Sequence, residues 1–537
     1  MISPANQIAA PTRVLPHGSS VVPADAPSQD RRSGDPAASK LHLKLAGCAS
    51  ELRNAFANLD GCDEATQNIL STYYDTPDGH IWRRGFALRL RETSKSYELT
   101  LLQRDAGISE RACWTSLLAK PVVEFGALPE DAPRAKIGVI LPEELEPRFS
   151  CDVQRQTKIV TAGGAALNVS LNQGRIVAAR RESPVAELKF RILSGPASDL
   201  LACVDSALRD YQLFFSPQSE TSLGVGLLTG TPPATVRASK SYLDASNTIG
   251  QTVATVIAVT TEHIFGNLDA ATDGHDPEGV HQLRVSLRRL RSALLIFKKH
   301  LGPRAIHLDR EARRSLKLLG AARDLDVFLS ETLQPVIRGN YDEPGLVHLG
   351  KIAEKRRADA YGGVRQLVSG RRFNRFLLDL LTVAKGGELV VKNVDYSLLP
   401  MARRTLTKRH KKVMAAGNDF DLLTEEQRHE VRIELKKLRY ACDFFQTVFP
   451  GAATRAYLRR LADLQEHLGL LNDAAVAGQL TKDLSAGEPD AAIGAALVKG
   501  WYARGLQAIE PEMRGAWRKF ARAKPFWRPR VTRDQQD

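Results

Sequence analysis

A chain of 537 residues exceeds what one hydrophobic core supports, so two or three domains are expected. Its composition is globular, at 43% hydrophobic and 25% charged, and its net charge of +14 points to an anionic partner. Charge alone leaves nucleic acid, anionic lipid and inorganic polyphosphate open. The six cysteines (Cys48, Cys62, Cys113, Cys151, Cys203 and Cys442) show no CxxC spacing and read as reduced thiols, not a disulfide or zinc framework. No apolar run approaches the roughly 18 residues of a membrane span, and the N-terminus lacks a basic-then-apolar signal peptide. A soluble cytoplasmic protein without a membrane partner is the expectation.

Residues 1–39 are rich in Pro, Ala and Ser and lack periodicity, which predicts a disordered tail. Residues 40–228 then open with alternation. Lys40 to Leu45 alternates basic and apolar residues, a strand with one wet face. Phe86 to Arg91 places Ala87, Arg89 and Arg91 on one side, and Tyr97 to Leu102 is a further strand. Ala186 to Ile192 puts Glu187, Lys189 and Arg191 on one face and Leu188, Phe190 and Ile192 on the other. Helical stretches intervene at Ala46 to Leu59 and Ala197 to Tyr211, so this half reads as α+β with an antiparallel sheet whose polar face is mostly cationic.

Residues 229–245 carry the linker run Thr229-Gly230-Thr231-Pro232-Pro233. Residues 246–530 are helical almost throughout, beginning with a helix that Asn247-Thr248 would cap. The stretch from Val280 to Phe297 is the most informative. Val280, Leu283, Leu287, Leu290, Leu294 and Phe297 form an apolar stripe, and His281, Arg284, Arg288 and Arg291 line the neighbouring side. No acid lies within the stretch, so the basic row has no partner on its own helix and must face water or a polyanion.

The pattern returns 148 residues later, in Arg428 to Phe445. His429, Arg432, Lys436 and Arg439 repeat the basic row, while Glu430 and Glu434 fall on the opposite flank. Leu319-Gly320 with Asp324, and Leu468-Gly469 with Asp473, echo each other behind the two copies. The two aspartates read as partners for arginines or as helix-end residues. The duplication predicts an all-α, pseudo-twofold helical bundle. A solvated basic face over buried leucines would explain either helix alone, but not the matched offsets of both. Near the end, Trp517, Phe520, Phe526 and Trp527 are expected to lock the last helix onto the bundle.

The repeated HxxRVxxRRLR and HxxRIxxKKLRY helices, each followed by LGxxxD, resemble the CHAD domain, the conserved histidine α-helical domain. The resemblance implies a bundle that binds inorganic polyphosphate along a basic groove through His281, Arg284, Arg288, Arg291, His429, Arg432, Lys436 and Arg439. A linear polyanion suits such a track of charge-assisted donors. The first half resembles the CYTH, or triphosphate tunnel metalloenzyme, family. The likeness rests on Thr72-Tyr73-Tyr74-Asp75-Thr76-Pro77, Ala87-Leu88-Arg89-Leu90-Arg91, Thr100-Leu101, and Ala178-Ala179-Arg180-Arg181 running to Pro184 and Glu187. Together the two resemble CYTH–CHAD fusions, some of which are inorganic triphosphatases. The implied fold is an antiparallel, triphosphate-tunnel-like barrel that holds triphosphate and Mg²⁺ or Mn²⁺, with Lys44, Arg89, Arg91, Arg111 and Arg181 as triphosphate contacts.

The chain departs from that family in its acids. The opening ExExK becomes Lys40, His42 and Lys44. The RxExE strand becomes Arg111, Cys113 and Thr115, and the closing glutamate run becomes Glu187, Lys189 and Arg191. Of seven acidic positions only Glu187 remains, either a residual metal ligand or a salt-bridge partner, and Leu102 replaces a lysine. Divalent ions need hard oxygen ligands, so the tunnel is expected to bind a phosphate chain and to hydrolyse it poorly or not at all. An active metal-dependent inorganic triphosphatase is the alternative. The scarcity of aromatics among the basic rows argues against nucleic acid. The CHAD resemblance also implies recruitment to polyphosphate granules.

Overall fold

The computed structural model describes residues 41–92, 96–104, 112–239, 241–339, 343–387 and 389–528. The predicted tail at 1–39, Lys40 and Arg111 lie outside the described residues. In chain order the first half contains β1 (His42–Ala46), α1 (Ala49–Ala57), β2 (Gly61–Asp75), α2 (His80–Arg83), β3 (Phe86–Glu92), β4 (Tyr97–Gln103) and β5 (Cys113–Leu118). It continues with α3 (Arg134–Ile137), β6 (Glu146–Ala162), β7 (Ala165–Ala178), β8 (Arg181–Ser194), α4 (Ala197–Asp210), β9 (Phe214–Phe215) and α5 (Glu220–Thr229).

The nine strands form one antiparallel sheet in the order β5-β4-β3-β2-β6-β7-β8-β1-β9. Register decides which residues share a face. Lys44 stands opposite Lys189, His42 opposite Arg191, Tyr73 opposite Arg89, and Asn172 opposite Glu187. Cys113 of β5 and His42 of β1 come from near opposite ends of that order, yet they line the same cavity, so the sheet is curled around it. The helix α5 packs inside the curl against β6, β7 and β8. Leu223, Val225, Leu227 and Leu228 join Ile69, Phe149, Val153, Ile176 and Val185 there. Gly224 makes this approach feasible, because a Cβ at that position would lie 2.1 Å from the Phe149 ring.

Four of these strands are not expected from the sequence: β2, β6, β7 and the two-residue β9. The first half of β2 is exposed and polar on both faces, so period-two contrast is weak there. Its ladder with β6 runs from Gly61 to Asp75, and pairing rather than local pattern defines both strands.

The second half begins with α6 (Ile249–Phe265), where Thr248 and Gln251 form a reciprocal capping box. It is followed by α7 (Leu268–Asp273), α8 (Glu278–Phe297), α9 (Pro303–Val327), α10 (Gln334–Gly339), α11 (Pro344–Ser369) and α12 (Arg371–Ala384). The remaining helices are α13 (Leu398–Ala416), α14 (Glu425–Phe445), α15 (Ala452–Ser485) and α16 (Ala492–Ala521). Every member of the apolar stripe of α8 is buried, and so are Val431, Leu435, Leu438, Ala441 and Phe445 of α14. The two related helices meet where Phe297 and Phe445 pack edge to face, with centroids 6.3 Å apart. Each has the next long helix against it, α9 on α8 and α15 on α14. Trp527 closes on Tyr457 at 5.3 Å and donates from Nε1 to Thr407 Oγ1 at 2.9 Å, which ties the chain's end to α13 and α15.

The halves are joined by a shared apolar cluster. Phe215 stacks edge-on to Phe265 at 5.2 Å, and the fully buried Asn374 accepts from the Phe215 amide at 2.8 Å.

Two candidate anion-binding sites

The first site is the cavity inside the curled sheet, about 360 Å³. Its basic side chains come from three strands: His42 and Lys44 on β1, Arg89 and Arg91 on β3, Lys189 and Arg191 on β8. Alternation puts them on the inner face, since each pair is spaced by two. Arg155 of β6 extends this face by register and donates from Nε to Asn172 Oδ1 at 2.8 Å. Burial, together with the neighbouring guanidinium groups of Arg89 and Arg155, pushes Arg91 down to about 10. Arg89 Nε is buried without a hydrogen-bond partner among the described residues.

Two carboxylates offset this charge. Glu187 receives Lys44 Nζ at 3.0 Å on Oε2, and Lys189 Nζ at 2.6 Å and Asn172 Nδ2 at 2.9 Å on Oε1. Glu220, the first residue of α5, receives Lys189 Nζ at 2.8 Å on Oε1 and the Tyr73 hydroxyl at 3.3 Å on Oε2. Burial alone would raise Glu187, but the ammonium groups of Lys189 and Lys44 prevail and hold it down to about 2. Glu220 is likewise held well below the usual carboxylate range against its burial, by Lys189 and then by Arg89 and Arg91. Lys189 is raised despite burial, because both carboxylates face it. Glu187, expected as a metal ligand or a salt-bridge partner, is thus the partner of two lysines, and no oxygen of either glutamate lacks a donor. This donor set does not suit a divalent ion, whose hard-oxygen ligands must be free of competing cations.

Arg181, expected among the triphosphate contacts, does not line this cavity. It is exposed at the start of β8, and its Nη1 donates to Leu227 O at 3.2 Å, at the far end of α5. The helix fills that end of the curl and separates Arg181 from the other cations. Glu220 and Arg155 were missed by the sequence reading. Glu220 carries a local signal: Ser219 caps α5 by accepting from the Ser222 amide at 3.0 Å. Arg155 lies on β6, whose strand character depends on pairing.

The second site lies where α8 and α14 converge. Arg284 and Arg288 of one helix and Arg432 and Lys436 of the other act on one another across it. Lys436 is pushed down to about 8 by burial and then by Arg432 and Arg288. Arg284 is pushed down to about 10 by burial and then by Arg288. Arg432 is lowered by burial against the pull of Asp473 and, less, by Arg288. Arg288 is exposed and stands at the centre of this mutual repulsion. Arg284 also donates from Nη1 to Leu316 O of α9 at 3.0 Å, and Arg432 Nε is buried without a partner among the described residues.

His281 continues the row and is lowered by burial and by Arg323 of α9. His429 and Arg432 line a smaller hollow of about 260 Å³ against α15 and α16. On the other side Arg288, Arg291, Lys437 and Tyr440 edge a groove of about 710 Å³. Asp324 and Asp473 lie within electrostatic reach of the cations and of each other, from α9 and α15. Burial raises Asp324 against the pull of Arg284 and Arg288.

The two rows are not uniformly free. Arg291 pairs with Asp309 of α9 at 2.8 Å, and Arg439 pairs with Asp443 of its own helix at 3.1 Å. A neighbouring helix thus supplies the acid that the stretch from Val280 to Phe297 lacks. The unneutralised charge concentrates in the middle of each row. Glu434 turns away as expected, toward Lys437 at 2.5 Å and Arg409 at 4.0 Å.

The sequence profile of the CHAD domain matches residues 255–482. The crystal structure of the CHAD domain from the plant Ricinus communis shares 31% identity, covering 54% of this chain and 98% of that one, with a TM-score of 0.47. The helical half is a CHAD domain. Its two signature helices are α8 and α14, and its match takes in both rows and both following aspartates. A curated inorganic triphosphatase from Haemophilus influenzae is 28% identical over 167 residues, 29% of this chain and 46% of that protein. The chain thus spans about half the length of the curated relative it matches. An adenylyl cyclase from Hippeastrum, described as having a dominant triphosphatase activity, has 15% identity over 35% of this chain and 95% of its own, with a TM-score of 0.26. Among the described residues no helix is long and apolar enough to cross a membrane.

Proposed function

We propose that this protein binds linear inorganic phosphate chains, with the CHAD furrow as the principal site and the curled sheet as a second site for a short chain such as triphosphate. The observation that carries this reading is the convergence of Arg284 and Arg288 with Arg432 and Lys436. Arg284, Arg432 and Lys436, each lowered by burial and by the Arg288 guanidinium, gain most from an incoming polyanion, because it removes that repulsion and supplies charge-assisted acceptors at once. A chain of phosphates fits better than a single one, since the cations run along two helices instead of surrounding a point. The protein is expected in the cytoplasm, with recruitment to polyphosphate granules.

Binding of long-chain polyphosphate to the full chain tests the reading. Replacing Arg284, Arg288, Arg432 and Lys436 by Ala should weaken binding by about 100-fold or more, since each charge-assisted contact contributes about 1.5–3 kcal/mol. Unaltered affinity sinks the proposal. Competition with RNA at physiological salt separates it from nucleic-acid binding, which salt dependence alone would not do, because both would weaken with salt.

A second reading, a metal-dependent inorganic triphosphatase, draws on the curated relative from Haemophilus influenzae. Steady-state hydrolysis of tripolyphosphate with Mg²⁺ or Mn²⁺ tests it. Turnover abolished by Glu187→Gln would favour this reading of the cavity over simple binding.

A further inference from the structure

The inner cavity has a central ion triplet that phosphate binding alone does not explain. Lys189 Nζ lies 2.6 Å from Glu187 Oε1 and 2.8 Å from Glu220 Oε1. Glu187 is buried on a strand, and Glu220, mostly covered, stands at the start of a helix from elsewhere in the chain. Two converging carboxylates beside a row of phosphate-seeking cations make a natural seat for a divalent ion, which bridges protein oxygens to phosphate oxygens. Here an ammonium occupies that seat.

We infer that Lys189 is a built-in replacement for a divalent metal ion, so that the cavity takes up a short phosphate chain without Mg²⁺ or Mn²⁺. The inference rests on the reading of this cavity as a phosphate-chain site. An ammonium has three donors. Two are spent on Glu187 and Glu220, and the third is the one a phosphate oxygen would accept. Arg89 and Arg91 from β3 and Lys44 from β1 flank it on the same face. The substitution has a chemical consequence. A fixed ammonium carries one charge, has no vacant coordination position and cannot lower the pKa of a bound water as a metal does. The cavity therefore holds its phosphate chain without activating water against it.

The test uses Mn²⁺ alone, read by the EPR signal of free Mn²⁺ and by thermal melting of the full-length protein. Wild type should show no Mn²⁺ site tighter than about 100 µM, whereas Lys189→Gln, which removes the shared cation from Glu187 Oε1 and Glu220 Oε1 and leaves Lys44 on Glu187 Oε2 for Mn²⁺ to displace, should gain one such site per chain and melt higher as Mn²⁺ is added. Adding Glu187→Gln should remove both gains. A wild-type Mn²⁺ site abolished by Glu187→Gln overturns the inference, and so does a folded Lys189→Gln protein that acquires no Mn²⁺. Should Lys189→Gln fail to fold, tripolyphosphate binding decides, measured with the furrow disabled by Arg284→Ala, Arg288→Ala and Arg432→Ala. Affinity unchanged by EDTA supports the inference, and a loss of about tenfold or more (roughly 1.4 kcal/mol) overturns it. If tripolyphosphate does not bind with or without metal, the cavity's proposed function fails, while the Mn²⁺ titration of wild type still judges the role of Lys189.

Discussion

The furrow and the inner cavity are both rich in Lys and Arg, yet their electrostatics are opposite. In the cavity Lys189 meets two carboxylates and is raised despite burial; in the furrow Lys436 is pushed down to about 8 by burial and by the guanidinium groups of Arg432, Arg288 and Arg284. The cavity has satisfied the charge at its centre, on Lys189, and the furrow has not. Counting basic residues would have ranked them alike. What differs is whether an acid from another element arrives, as Glu220 does from α5 and as Asp309 does for Arg291. A compensated site binds anions by exchange of partners, and an uncompensated site binds them by relief of repulsion.

The largest effect that would sharpen this contrast is on stability. Lys189→Gln leaves the buried Glu187 and the mostly covered Glu220 without their shared cation and should cost about 3–5 kcal/mol in metal-free denaturant unfolding. Lys436→Met should act in the opposite direction. Removing a half-buried cation from among its own kind should stabilise the fold by about 1 kcal/mol in denaturant unfolding. The same change should weaken polyphosphate binding by about tenfold or more. Equal signs for the two lysines would break the comparison.

The pH windows differ for the same reason. Glu187 is held at about 2 when folded, so it stabilises the protein above the ordinary carboxylate range, and that contribution is lost as pH falls toward 2. Lys436 is depressed when folded. Between about 8 and the normal lysine range the unfolded chain holds more protons, and stability rises with pH. Polyphosphate affinity should fall across the same alkaline window, as the furrow loses one charge. Urea melts and binding isotherms of wild type and Lys436→Met, taken from pH 7 to 10, check this, and the variant should lack the alkaline step.

Smaller effects close the series. Thr424→Ala removes the cap of α14, where Thr424 accepts from the Gln427 amide at 3.3 Å, and should cost about 1 kcal/mol in thermal unfolding. Arg181→Ala should leave tripolyphosphate affinity within about twofold, because its exposed contact with Leu227 O is outside the cavity. A large loss there would show that α5 does not divide the curled sheet as described.

The chain's own pattern was enough for the helical half. A period near 3.6 with buried leucines, repeated with matching His, Arg and Lys positions, dictated α8 and α14 and their basic rows, because helix geometry is local. It was also enough for β1, β3 and β4, where short-range alternation is clean. It did not reveal β2, β6 and β7, whose identity comes from pairing partners far along the chain. Nor did it reveal that Arg291 is neutralised from α9, that Arg181 is cut off by α5, or that Glu220 reaches Lys189 across 31 positions. Composition and periodicity determine which side chains share a face, since that depends on backbone repeat alone. Which charges remain uncompensated is decided only when distant elements pack together, because Coulomb energy depends on separation in space and on burial, and neither is written in sequence order.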